Sequence, residues 1–231
     1  MNEADAKEIV DKIVGQVFGY KNPYSLEDFM KKFAFDVRLP NKVSDSYTGE
    51  DTWAQSTNPT KFMTQKNASV ETHKTDWMRP KRPISSLEDV LEAWNEINFT
   101  TTERMIECID VAQSDNIYNS EKIFRSQDCH FSKYLIYCDG VRKSEYLVAS
   151  QRSFGSVYSI RVEDSAECSE SFGVSWSGKI SKSFMIHDSY DLSDCILCSH
   201  IKSKRFCIAN IQFEEDEYKK LKDIIIKWIL S

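Results

Sequence analysis

A twelve-residue repeat in the second half of this 231-residue chain constrains the fold more than any other feature. The stretches Ser120-Glu-Lys-Ile-Phe, Ser132-Lys-Tyr-Leu-Ile, Ser144-Glu-Tyr-Leu-Val and Ser156-Val-Tyr-Ser-Ile align without adjustment. They continue as Ser169-Glu-Ser-Phe-Gly, Ser181-Lys-Ser-Phe-Met, Ser193-Asp-Cys-Ile-Leu and Arg205-Phe-Cys-Ile-Ala. Successive offsets are 12 residues, except for one of 13 between Ser156 and Ser169. A weaker serine recurs halfway, at Ser126, Ser150, Ser175 and Ser199. A fixed period of this kind marks units that bury their faces only by stacking on one another.

The expected architecture is therefore mainly β with α: a C-terminal β-solenoid of about 12-residue repeats. Each unit lays down a strand and a turn, and the next pairs with it roughly 4.8 Å away. Strand alternation points the first, third and fifth positions inward. Those positions hold serine, then Tyr, Ser or Cys, then aliphatics such as Ile136, Val148, Ile160, Met185 and Leu197. A narrow interior selects serine and cysteine, and the hydroxyls can satisfy buried backbone groups. The fourth position then points outward, and includes Leu135, Leu147, Phe172, Phe184, Ile196 and Ile208. These six are the expected interaction face, covered by the N-terminal part of the chain or by a partner subunit. An antiparallel β-meander with helices is the competing reading, because Cys138-Asp-Gly-Val141 and Trp176-Ser-Gly-Lys179 resemble hairpin turns. A meander gives no reason for serine at a fixed ladder position.

The first half is written differently. All five prolines (Pro23, Pro40, Pro59, Pro80 and Pro83) lie before the repeat. Helical spacing predicts a helix over residues 3–18, stopped by Gly19, and a second opened by Ser25 with Asp28 three positions on. Residues 35–84 read as an ordered, extended arm with a strand at Phe35–Leu39, anchored by Trp53, Phe62, Trp77 and Met78. Ser86 and Asp89 open a further helix through Leu87, Val90, Leu91, Trp94 and Ile97, and another is expected near 101–113. Residues 214–230 carry one more apolar helical face, placed to cap the last rung. The divisions are 1–113, helices and arm; 114–213, repeat; and 214–231, capping helix.

The end of the repeat, Cys207-Ile-Ala-Asn-Ile-Gln-Phe-Glu-Glu-Asp-Glu-Tyr218, resembles serine- and cysteine-rich repeat proteins of tailed phages and metagenomic bacteria. Their pattern is Cys-Ile-x-Asn-x-Gln-Tyr followed by acidic residues, and Phe213 stands here in place of the tyrosine. The resemblance spans roughly residues 120–220. It implies a β-solenoid and a phage origin, and it transfers no functional residue.

Chemistry is harder to read. Net charge is −6, which disfavours a generic nucleic-acid partner, and no segment is apolar for long enough to span a membrane. The acidic N-terminus lacks signal-peptide character, so the expected location is the cytoplasm or a virion, and the cysteines are expected as free thiols. Cys195, Cys198, His200 and Cys207 include metal-ligand types, but the repeat makes Cys195 and Cys207 small interior residues of one ladder. No metal or other cofactor is expected. Arg142, Arg152 and Arg161 fall near turns of successive units and could form a strip for a phosphate-bearing ligand. No nucleophile-elbow, phosphate-loop or zinc-protease motif appears, so the chain is expected not to be an enzyme. The first expectation is a structural or interaction protein, such as a phage virion or assembly component, working with protein partners or by self-assembly. The alternatives are a counter-defence protein that binds a nucleotide, and an acidic solenoid that mimics nucleic acid.

Overall fold

A computed structural model describes residues 1–56 and 61–231; Pro59 lies outside the described residues. A parallel β-solenoid of about nine turns runs from Met105 to Ile208. Every strand pairing between successive rungs is parallel and in twelve-residue register, as in Lys133↔Glu145 and Phe172↔Phe184, which excludes the meander. The register holds through the apparent offset of 13, because Val157 pairs with Ser169. No residue is inserted there.

The side chains follow a period of three, not two. Every third residue from Glu107 to Ala209 has a left-handed backbone, with Gly140, Gly155 and Gly173 among them. Each left-handed residue turns the chain, so a twelve-residue rung has four corners and four inward side chains. The inward column sequence Ser114, Ile117, Ser120, Ile123, Ser126, Cys129, Ser132, Leu135 is buried throughout. Serine thus recurs every six residues, opposite serine across the rung. Between Ser156 and Ser159 the serine pattern moves by one corner and continues as Ser165, Ser171, Ser177, Ser183 and Ser189, all buried. The offset of 13 has another source: Ser169 is in register with Val157, and the next-rung successor of Ser156 is Cys168.

Hydrogen bonding explains the serines. Ser144 Oγ donates to the Arg142 carbonyl (2.9 Å) and accepts the Ser156 N–H of the next rung (3.1 Å). Ser132, Ser126 and Ser183 make the same pair of bonds. A buried N–H at a corner would otherwise be left without a partner.

Several expected orientations are corrected by this period. Leu135 and Leu147 point inward and are fully buried. Ile136, Val148 and Ile160 point outward, in one column with Phe172, Phe184, Ile196 and Ile208. Tyr134, Tyr146 and Tyr158 also face outward and stack at 4.2 and 4.4 Å between ring centroids. Met185 and Leu197 occupy outward corners. No helix forms near 101–113: strand Phe99–Thr102 leads into the first rung, whose strands are Met105–Ile106 and Ile109–Ala112, so the boundary at 114 falls inside the solenoid.

Helix α1 (Glu3–Phe18) is capped by Asn2 and ends at Gly19, whose φ of 74° suits a residue without Cβ. It lies across the strands Lys133–Ile136, Glu145–Val148 and Val157–Glu163. Phe18 packs on Phe172 and Phe184 at 5.3 and 5.5 Å, and Lys12 Nζ donates to the Tyr146 hydroxyl (2.9 Å). Helix α2 (Leu26–Phe33), capped by Ser25, adds Phe29 and Phe33 to the same core. No strand forms at Phe35–Leu39. The arm beyond holds a hairpin (Asn41–Ser44 with Asp51–Ala54), a strand Lys61–Thr64 and helix α3 (Gln65–Thr75). Strand Lys61–Thr64 pairs with Phe99–Thr102. Helix α4 (Leu87–Ile97) follows, with the expected Ser86–Asp89 capping box.

The last rung is closed by residues of the motif near 207–218. Asn210 exchanges hydrogen bonds with the backbone of Ser199, and Gln212 Nε2 donates to the Arg205 carbonyl. Strand Ile211–Gln212 turns back antiparallel, and helix α5 (Glu215–Ile229) buries Tyr218 against Phe206. Asn210 and Gln212 supply the bonds that another rung would make.

Candidate functional site

The expected interaction face is closed by the chain itself. Leu135 and Leu147 lie inside the solenoid, while Phe172, Phe184 and Ile196 are buried under α1, α2 and α5, with Ile208 at the margin of that core. Helical cover was one of the two expected outcomes, and it removes this ladder as a docking surface.

Nor do the arginines form a strip. Arg142, Arg152 and Arg161 stand at three different positions around the rung, since their numbers differ by 10 and 9 in a twelve-residue turn. Arg152 is paired with Asp164 (2.6 Å) and Glu163 (2.5 Å). Arg161 grips Asp36 with both Nη atoms (2.8 and 2.7 Å). Arg142 is exposed and sits 3.8 Å from Asp128. Two of the three cations are consumed by carboxylates, leaving no convergent phosphate site.

The C-terminal cysteines are interior. Cys195 and Cys207 are buried in one inward column and Cys198 in the next, whereas His200 points outward and binds Asp188 (2.8 Å). Among the described residues, no group of three or more His, Cys, Asp or Glu side chains is arranged to hold a metal ion. Sulfur here takes the serine role: Cys138 Sγ donates to the Ile136 carbonyl. Burial pushes the Cys138 and Cys168 thiols up to about 12, which makes them unreactive at neutral pH. Donation to Cys198, together with burial, holds the Cys195 thiol well above its ordinary range.

An open apolar stripe lies elsewhere, on α4. Leu87, Val90, Leu91 and Trp94 are 67%, 47%, 55% and 54% exposed, and no residue of this helix is buried. The spacing i, i+3, i+4, i+7 puts them on one stripe. Ile84 and Ile97 extend it at either end. The helix forms because of its caps: Ser86 Oγ accepts the Asp89 N–H, and Asp89 accepts from Ser85 and Ser86. Those bonds hold the Asp89 carboxyl below the usual carboxylate range.

Charge is divided along α4. Acids Glu88, Asp89 and Glu92 occupy its first two turns, and neither Glu88 nor Glu92 has an ion pair among the described residues. Cations gather at the other end: Arg82 pairs with Glu96 (2.6 Å), and Lys61 Nζ donates to the Asn95 carbonyl. The heptad-like spacing of this stripe was legible in the sequence. Its exposure was not, because the same pattern ordinarily marks a face packed on the core.

Among the described residues, no helix is long and apolar enough to cross a membrane. No protein-family model matches the chain, and no curated protein matches its sequence.

Proposed function

We propose that this chain is a non-enzymatic structural protein that self-associates through α4, in the manner of a virion or assembly component. The observation that carries this reading is the exposed stripe of α4, in a molecule whose long apolar ladder on the solenoid is covered by its own helices. A second copy is the partner that the charge pattern fits. In an antiparallel pair related by a two-fold axis, the Arg82 and Lys61 end of each helix meets the Glu88 and Asp89 end of the other. A parallel arrangement would set acid against acid.

The phage setting rests on the resemblance of residues 120–220 to phage and metagenomic repeat proteins, and the rigid, end-capped solenoid suits a part whose work is shape. Helix α4 has 11 residues, so it spans only about 16 Å. Stable dimers bury roughly 1,200 Å² or more, so a helix pair this short gives a reversible, concentration-dependent contact. Light scattering over a concentration series tests this. Average mass should rise from monomer towards dimer for the natural chain and stay monomeric for Leu91→Glu, with unchanged melting temperature. A mass that never rises, or that rises equally in the variant, removes the reading.

A further inference from the structure

On the side of the solenoid away from α1, exposed aromatic side chains frame one open groove. Phe154, Ala166, Gly178 and Tyr190 occupy successive rungs of a single outward column. The two small residues leave a gap between the two rings. A Cβ on Gly178 would come within 3.1 Å of the Tyr190 ring, so Tyr190 leans over that glycine as an end wall. Along the neighbouring corner stands Trp176, 61% exposed, with Asp164 one rung before it and Asp188 one rung after. The groove encloses about 990 Å³.

The indole is fixed before any ligand arrives. Trp176 Nε1 donates to Asp164 (3.2 Å), and Arg152 holds Asp164 from the other side. The His187 ring packs edge-on against Trp176 at 5.1 Å, and His200 holds Asp188. Such a framework loses little freedom on binding.

Its charges are mixed and offset one another. The lining sets Asp164 and Asp188 against Arg152 and Lys202, and Arg152 is already consumed by Asp164 and Glu163. What remains is flat aromatic surface bordered by carboxylate acceptors, with the Lys202 ammonium 5.7 Å from the centre of the Tyr190 ring. The ligand that matches has an apolar C–H face and a rim of O–H donors. We propose that this groove binds an uncharged oligosaccharide, with a sugar ring on Trp176 and hydroxyls donating to Asp164 and Asp188. This site does not depend on self-association through α4.

Isothermal titration of the full chain with maltohexaose, cellohexaose, chitohexaose, mannohexaose and a decaproline peptide tests the proposal. At least one oligosaccharide should bind. Trp176→Ala should weaken that binding about tenfold or more. Phe154→Ala should weaken it as well, while Phe131→Ala, an exposed aromatic outside the lining, should leave it unchanged. Absence of binding by all four sugars at low millimolar concentration overturns the proposal. So does binding that survives both groove substitutions, or decaproline binding more tightly than every sugar.

Discussion

Ser144 sits where its rung turns, and its hydroxyl is the hydrogen-bond partner that the Ser156 N–H finds in the next rung. Removing it leaves a buried donor unpaired, which costs about 1–3 kcal/mol. Ser144→Ala should lower stability by that amount in urea titration; a loss below about 0.5 kcal/mol would show that the serine columns are merely small. The corners themselves carry strain. Glu167 is exposed with φ of 56°. Glu167→Gly should raise stability by about 0.5–1 kcal/mol, and Glu167→Val should lower it by about 1 kcal/mol or more. Equal stabilities would contradict a left-handed corner at that position. This is also the scale at which reading the sequence stopped short. The serine period was visible, but two-residue strand alternation put Tyr134 and Ile136 inside and Leu135 outside. A corner at every third residue leaves no compositional mark, since Lys, Glu, Asp, Tyr and Arg all occupy it here.

The solenoid is held together in part by the elements that cover it. The segment after α2 is fastened to a solenoid corner by Asp36 and Arg161. Burial raises the Asp36 carboxyl, but hydrogen bonds and charge from Arg161 outweigh it, so its pKa falls below the ordinary value. A carboxylate depressed in the folded state contributes stability above its unfolded pKa of about 3.9, and that stability is lost as pH falls through the folded value. Asp36→Asn should therefore destabilise the chain at pH 7, and the difference from the natural chain should shrink in strongly acidic buffer. Urea midpoints at the two pH values check this, and an undiminished gap in acid would contradict it. Helices α1, α2, α4 and α5 were legible because apolar spacing and capping residues agree at Ser25, Ser86 and Gly19. The strand expected at Phe35–Leu39 and the helix near 101–113 failed. Met105, Ile106 and Ile109 fit a helical stripe, yet the strand register, Ile109↔Glu121 and Val111↔Ile123, takes them.

The whole molecule has a closed interior and one face sealed by its own helices, and its open surfaces include the α4 stripe and the groove around Trp176. The groove escaped sequence reading because Trp176-Ser-Gly-Lys179 looks like a hairpin turn, and Phe154, Ala166, Gly178 and Tyr190 are related only by the twelve-residue column. The proposed self-association through antiparallel α4 helices dictates which charges meet. Arg82→Glu sets acid against Glu88 of a second copy, and Glu88→Arg sets cation against Arg82. Mixed together, the two variants restore both opposite-charge contacts. Sedimentation velocity at low ionic strength, where rim charges count most, measures this directly. Each variant alone should stay monomeric at a concentration where the natural chain dimerises, and the equimolar mixture should sediment as a dimer. A mixture that remains monomeric, or variants that dimerise as well alone as the natural chain does, would contradict this pairing.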